Sequence, residues 1–348
     1  MTIAPFLSLR TWAVSFFAFL ALLYCHAQSH FDGIVCWGDS KTEGGQEPGI
    51  SYPGILQELL QQEGYQIKVF NFGANGERTT EIMQRQGSYP FIVQPFTIPA
   101  SASKEVKIAI NSRLRVPEAG CNPCYIAGVE GCISHDWSDQ SQTTFYFQRK
   151  RDGKEILVSE PAQIETDAMR NHRNDLMVLD IGYNGGFIGI DNWVEQHFQM
   201  IDYSECKNYI VIGRASHYYT ESPDLEQKFA QAFGNRYINL CKYYIEEGLQ
   251  KAEIEPTAGD LADISARRPP RSLFLDEHHE NHFGYAIKAY LVFEKLKELG
   301  YISPVASINI QETHPSPDTI YNLQGQKIDR VPKSGIYIIN GKKIFIKQ

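Results

Sequence analysis

The chain has 348 residues, 43 % of them apolar and 12 % aromatic, enough to bury one large core or two modest ones, which excludes disorder away from the ends. A formal net charge of −8 with no long Lys/Arg run excludes a nucleic-acid footprint and a polybasic membrane patch. Small molecules or glycans remain as partners.

Residues 1–27 read as a secretory signal. Arg10 supplies positive charge, the segment 12–25 is apolar, and Cys25-His26-Ala27 precedes a cleavage point at Gln28. Lipoprotein processing at Cys25 is the alternative, disfavoured by bulky Tyr24. The segment is short for a membrane span and no other stretch is long and apolar enough, so the mature chain is expected to be soluble and exported, with no transmembrane segment.

An apolar run over 34–37 predicts a buried strand that Gly38-Asp39-Ser40 ends. A Gly-rich polar loop follows over 41–50, and Ser51-Tyr52-Pro53 opens a helix whose Ile55, Leu56, Leu59 and Leu60 keep helical spacing until Gly64. A second strand over 67–71 leads into a glycine loop over 73–79. Strand, helix, strand at this spacing is a βαβ unit and implies a parallel sheet. The pattern then changes over about 89–165 to a β-rich insertion, with strands over 106–110 and 145–149 and a hairpin turn at Arg151-Asp152-Gly153-Lys154 leading to Ile156, Leu157 and Val158.

Alternation resumes with strands over 176–179, 209–212 and 237–240 and helices over 192–203, 225–233 and 283–299, the last stopped by Gly300. Five strands alternating with helices predict a three-layer α/β/α sandwich on a five-stranded, mostly parallel sheet, occupying 28–302. Pro304, Pro315 and Pro317 mark a linker, and residues 303–348 end in a small β module with a turn at Asn340-Gly341.

The chemistry is carried by residues far apart in the chain. A serine hydroxyl becomes a nucleophile when a base takes its proton, an acid orients that base, and donors stabilise the oxyanion that forms. Ser40 sits where open α/β sheets bind ligands, at the carboxyl end of a strand. Within Asp276-Glu277-His278-His279, His279 supplies the base and Asp276 the orienting acid, three residues apart on one segment, and no cofactor is required. His278 and His282 flank the base as alternatives, but only His279 has this spacing from Asp276. The order Ser, Asp, His is that of α/β-hydrolases, yet no Gly-x-Ser-x-Gly elbow exists in the chain. Asp39 is expected to structure the serine turn, and Arg78 either to clamp a substrate carboxylate or to sit as a solvated surface residue.

These residues together resemble the SGNH (GDSL-type) hydrolases, which have a flavodoxin-like sandwich. Gly38-Asp39-Ser40-Lys41-Thr42 is similar to the family's nucleophile motif, Gly76 falls at its oxyanion glycine, Gly182-Tyr183-Asn184 matches its Gly-x-Asn, and Asp276 to His279 with Asn281 and Gly284-Tyr285 matches its Asp-x-x-His. The motifs come in the family's order across 33–300. The resemblance implies an oxyanion hole of the Ser40 and Gly76 backbone N–H groups and the Asn184 side-chain amide. Gly185 departs from the family's usual Asp, and the insertion is longer than a minimal member needs. With export, the resemblance implies a serine esterase removing acetyl or other short acyl groups from carbohydrate; a lipid or thioester acyl hydrolase, or a glycan-binding protein without turnover, are the alternatives. The last ~30 residues resemble the C-terminal β modules of exported proteins in the Bacteroidetes, some of which serve sorting.

Cleavage at Gln28 leaves Cys36, Cys121, Cys124, Cys132, Cys206 and Cys241. Cys36 is expected as a core thiol. Cys121 and Cys124 followed by Cys132 and His135 have the spacing of a structural zinc site, whereas export makes a disulfide within the cluster the simpler expectation.

Overall fold

A computed structural model describes residues 31–47, 49–136 and 144–302, and beyond them the backbone of four strands between 320 and 346. The proposed leader, the linker prolines and the Asn340-Gly341 turn lie outside the described residues. The chain divides into two compact units, Met1–Ser303 and Pro304–Gln348.

The first unit is built on five parallel strands. Their spatial order is Tyr237–Ile238, Tyr209–Ile212, Leu176–Asp180, Ile34–Gly38 and Val69–Gly73. Numbered along the chain, this is the order 2-1-3-4-5, whose switch point lies between the first and third strands. Tyr209–Ile212, Ile34–Gly38 and residues 176–179 are apolar because both faces are covered, whereas the edge strand Val69–Gly73 carries the exposed Asn71, and alternation sorts the side chains. Ile34, Cys36, Leu176 and Val178 face one cluster with the helices Tyr52–Gln62 and His282–Glu298. Val35, Trp37, Met177 and Leu179 face the other, with the helices Thr79–Gln86, Gly189–Tyr203 and Pro223–Phe233. Cys36 is a fully buried thiol in the first of these clusters.

Local chemistry sets the boundaries that matter for the site. Ser51 caps Tyr52–Gln62 by accepting from the Gly54 N–H, with Pro53 in the first turn where its missing donor costs nothing. Asn281 caps His282–Glu298, its side chain accepting from the Phe283 and Gly284 N–H groups. Where a loop is expected after the first strand, residues Ser40–Glu43 instead form a short helix, capped by the Asp39 side chain. The helices Thr79–Gln86, Asp167–Asn171 and Ala258–Ser265 and the irregular helical run from Leu240 to Lys251 carry no clear sequence pattern.

Between the second and third strands the chain builds an antiparallel sheet in the order Ile92–Val93, Ala162–Glu165, Cys124–Ile126, Val129–His135, Phe145–Arg149, Val106–Ile108, with its own apolar cluster of Phe91, Ile126, Phe145 and Phe147. The hairpin expected at 151–154 does not form. Ile156–Val158 pairs with Phe96–Ile98 in a separate two-stranded sheet, and Phe145–Arg149 pairs with Val129–His135 and Val106–Ile108. The reason is the Arg149 guanidinium, which gathers the carbonyls of Pro99, Arg151 and Lys154 and bends the chain out of the first sheet. In the second unit, Lys327–Ile328, Ile320–Tyr321, Gly335–Ile339 and Lys342–Ile346 form a four-stranded antiparallel sheet.

Candidate active site

The site lies at the carboxyl ends of the first and third strands, at the switch point. Gly38 ends the first strand in close contact with its neighbours: a Cβ there would sit 2.0 Å from Thr42 Oγ1 and 2.6 Å from the Asp180 carbonyl. Asp39 then caps the short helix by accepting from the Lys41 N–H at 3.1 Å, which brings Ser40 to its first position. Ser40 is 7 % exposed.

The Ser40 hydroxyl lies 3.0 Å from His279 Nε2, and His279 Nδ1 lies 2.8 Å from Asp276 Oδ2. The second Asp276 oxygen accepts the backbone N–H groups of His278 and His279, each at 2.7 Å. Partial burial on its own would raise the Asp276 carboxyl, but the bond from the His279 ring and the two backbone donors outweigh it and hold it down at about 2. The acid therefore stays ionised wherever the ring works. Of the alternative bases, His278 faces Tyr218 with ring centroids 5.7 Å apart, and His282 pairs with Glu47.

Two loops stand beside this chain of contacts. Gly76 holds φ +74°, a left-handed value that strains any residue with a Cβ. The Asn184 amide donates to the Glu77 carbonyl at 3.0 Å, and the Thr79 N–H donates to the Gly185 carbonyl at 3.0 Å. These bonds orient Asn184 from the backbone. An amide nitrogen carries two hydrogens, so one remains for a ligand. Arg78 caps the Thr79–Gln86 helix and pairs through its backbone with Glu81 at 2.8 Å.

A cavity of about 340 Å³ opens over Ser40 and His279, within the roughly 300–1,000 Å³ range of small-molecule sites. Asn75, Asn184, Tyr183, Arg214, Ser216 and Tyr218 line it. A second cavity of about 400 Å³ shares Asn75 and is lined mainly by the insertion, through Arg115, Val116, Pro117 and Glu118.

Beneath Ser40 lies a group of buried charges that sequence reasoning did not find. Lys41 Nζ pairs with Glu280 Oε2 at 2.8 Å and donates to the His278 carbonyl at 2.5 Å. Lys288 pairs with Glu280 Oε1 at 2.8 Å and Asp180 Oδ2 at 2.9 Å, and all four side chains are 2 % exposed or less. Burial pulls the Lys41 ammonium down, against the raising charge of Glu280, while Glu280 is held low because Lys288 and Lys41 outweigh its own burial. Burial, and then the Asp180 charge, push the neighbouring Asp39 carboxyl up to about 7. Lys41 and Glu280 each follow a residue of the Ser40–His279 pair, so the ion pair fastens the serine helix to the histidine loop. Their adjacency to Ser40 and His279 was the available signal; Lys288, deep in the last helix, offered none.

The zinc site, the lesser alternative at Cys121, Cys124, Cys132 and His135, does not assemble. Cys132 and His135 are three residues apart on one strand, so they face opposite sides of the sheet, Cys132 exposed and His135 buried. Among the described residues no group of His, Cys, Asp and Glu could hold a metal ion. The expected disulfide is absent too: all six described cysteines are free thiols, with Cys121 and Cys124 buried side by side. Their mutual hydrogen bond and burial push the Cys121 thiol well above its usual range. Among the described residues no helix is long and apolar enough to cross a membrane.

No family model matches the chain, and no curated protein matches it. A solved structure described as "Peptidoglycan O-acetylesterase in action, 5 min" is similar over 81 % of this chain and 95 % of its own, at 12 % identity and a TM-score of 0.36, a likeness too slight to define the fold by itself.

Proposed function

We propose that the protein is a serine ester hydrolase of the SGNH kind, with a three-layer α/β/α sandwich, that removes short acyl groups from carbohydrate outside the cytoplasm. The observation that carries this reading is the unbroken chain of contacts from the Ser40 hydroxyl through the His279 ring to the ionised Asp276. Ser40 Oγ attacks the ester carbonyl carbon while His279 Nε2 takes the hydroxyl proton. The charge that develops on the carbonyl oxygen is met by the Ser40 and Gly76 N–H groups and the second hydrogen of the Asn184 amide. Collapse breaks the bond to the alcohol oxygen, which leaves with the proton from His279. Water then attacks the acyl-Ser40 ester, giving its proton to His279, and the acid departs as Ser40 regains that proton.

The cavity supports a compact polar substrate over a lipid chain, because amides, hydroxyls and an arginine line it. Export rests on the leader read from the sequence. The test is acetate release from acetylated sugars and hydrolysis of 4-nitrophenyl esters of rising chain length. Turnover falling steeply beyond short chains, and lost in Ser40→Ala, is the expected result; long-chain preference or full activity in Ser40→Ala would remove the reading.

A further inference from the structure

The cavity over Ser40 has the opposite character to the molecule around it. The chain carries a formal net charge of −8, yet no aspartate or glutamate is among the residues that line this cavity. Of the two cations that do, Lys41 is committed to Glu280 and the His278 carbonyl. Arg214 has no carboxylate partner and no hydrogen bond among the described residues, and its Nε is buried without an acceptor. Its guanidinium carbon lies 4.5 Å from the centroid of the Tyr219 ring and 5.9 Å from that of Tyr183, contacts that use up none of its N–H donors and so leave them for a ligand.

The segment that carries Arg214 follows the Tyr209–Ile212 strand and is pinned at both sides. The Tyr183 hydroxyl accepts the Ala215 N–H at 3.0 Å, and the Tyr218 N–H donates to the Glu277 carbonyl, next to the histidine loop, at 2.9 Å. Tyr218 is 67 % exposed although it lines the cavity. An exposed ring and a planar cation without an acceptor, lining the same cavity, are the two surfaces an acidic sugar needs: an apolar platform for the ring and a fork for its carboxylate.

We infer that Arg214 and Tyr218 form a subsite for a carboxylate-bearing sugar, so that the ester cleaved at Ser40 is carried by an acidic sugar. This rests on the esterase reading above and names its substrate class. A guanidinium binds carboxylate in bidentate fashion, and a glutamine in its place loses both the charge and the fork.

The experiment compares acetate release from mono-O-acetyl glucuronic acid and mono-O-acetyl glucose by wild type, Arg214→Gln and Arg214→Lys. The wild type is expected to favour the acid in kcat/KM by about tenfold to a hundredfold, the scale of one charge-assisted contact, with the difference in KM. The ratio should collapse to near unity in Arg214→Gln and recover in part in Arg214→Lys; being a ratio, it is independent of the fraction folded. A separate measurement needs no variant: free glucuronate should inhibit wild-type hydrolysis of 4-nitrophenyl acetate at least about tenfold more strongly than glucose. A wild-type ratio near one, a ratio unmoved in Arg214→Gln, equal inhibition by the two sugars, or a preference for 4-nitrophenyl hemisuccinate over both sugar esters each overturns the subsite. If these fail while Ser40→Ala still abolishes turnover, the esterase reading stands without the acidic-sugar assignment; if Ser40→Ala keeps its activity, both fall.

Discussion

The parallel sheet and the antiparallel insertion are both closed by apolar side chains, but they treat charge in opposite ways. The insertion's cluster holds hydrocarbon, aromatic rings and two thiols, and its buried Arg149 is satisfied by backbone carbonyls. At the strand ends of the parallel sheet, Asp39, Lys41, Asp180, Glu280 and Lys288 are all within 1 % of complete burial. Buried ion pairs add little net stability, since desolvation consumes most of what their attraction supplies. Their concentration under Ser40 and His279 therefore points to positioning: the charges fix where two loops meet, while the insertion serves packing and frames the neighbouring cavity.

Substitutions can break or sharpen that contrast. The largest effect is expected at the reacting group, where Ser40→Ala should lower kcat by about 10⁴-fold or more with the unfolding midpoint little changed. Next, Lys41→Met leaves Glu280 with one partner fewer and frees the His278 carbonyl, so urea unfolding should show a loss of about 3–5 kcal/mol. The folded fraction should also turn over more slowly, which separates positioning from packing. Asn184→Ala should cost about 10²-fold to 10³-fold in kcat with a small change in KM, as measured by steady-state kinetics, because the donor acts on charge that develops in the transition state.

A pH series tests the buried charges themselves. The Asp39 carboxyl is raised above its unfolded value, so between about pH 4 and about pH 7 the unfolded chain releases a proton that the folded one keeps. Stability from this group is thus present at the acid end and lost as pH rises to about 7. Asp39→Asn, which does not titrate, should gain on the wild type steadily across that window in urea titrations; a constant difference would contradict the buried assignment. The smallest effect belongs to the insertion, where Ile133→Val should cost about 0.5–1.5 kcal/mol and leave kcat unmoved.

The same contrast explains what could be read from the sequence. Apolar runs such as 34–37 and 176–179 announce strands because burial on both faces demands hydrocarbon at every position. Ser40, Asp276 and His279 could be picked out because their residue types are needed for one chemistry and two of them share a segment. Arg214 could not, since nothing in Gly213-Arg214-Ala215-Ser216 reveals that no carboxylate will reach it. The zinc spacing, the lesser alternative to a disulfide, ignores the alternation of a strand, and the turn at 151–154 misled because Arg149 also holds the carbonyl of Pro99, 50 residues away.

The account depends most on Ser40 being the nucleophile that His279 activates. Intact-mass measurement after exposure to a fluorophosphonate tests it directly. A single adduct that maps to the peptide containing Ser40, absent in Ser40→Ala and formed far more slowly in His279→Ala, is the predicted result; an unlabelled Ser40 in a preparation that still hydrolyses esters would contradict it.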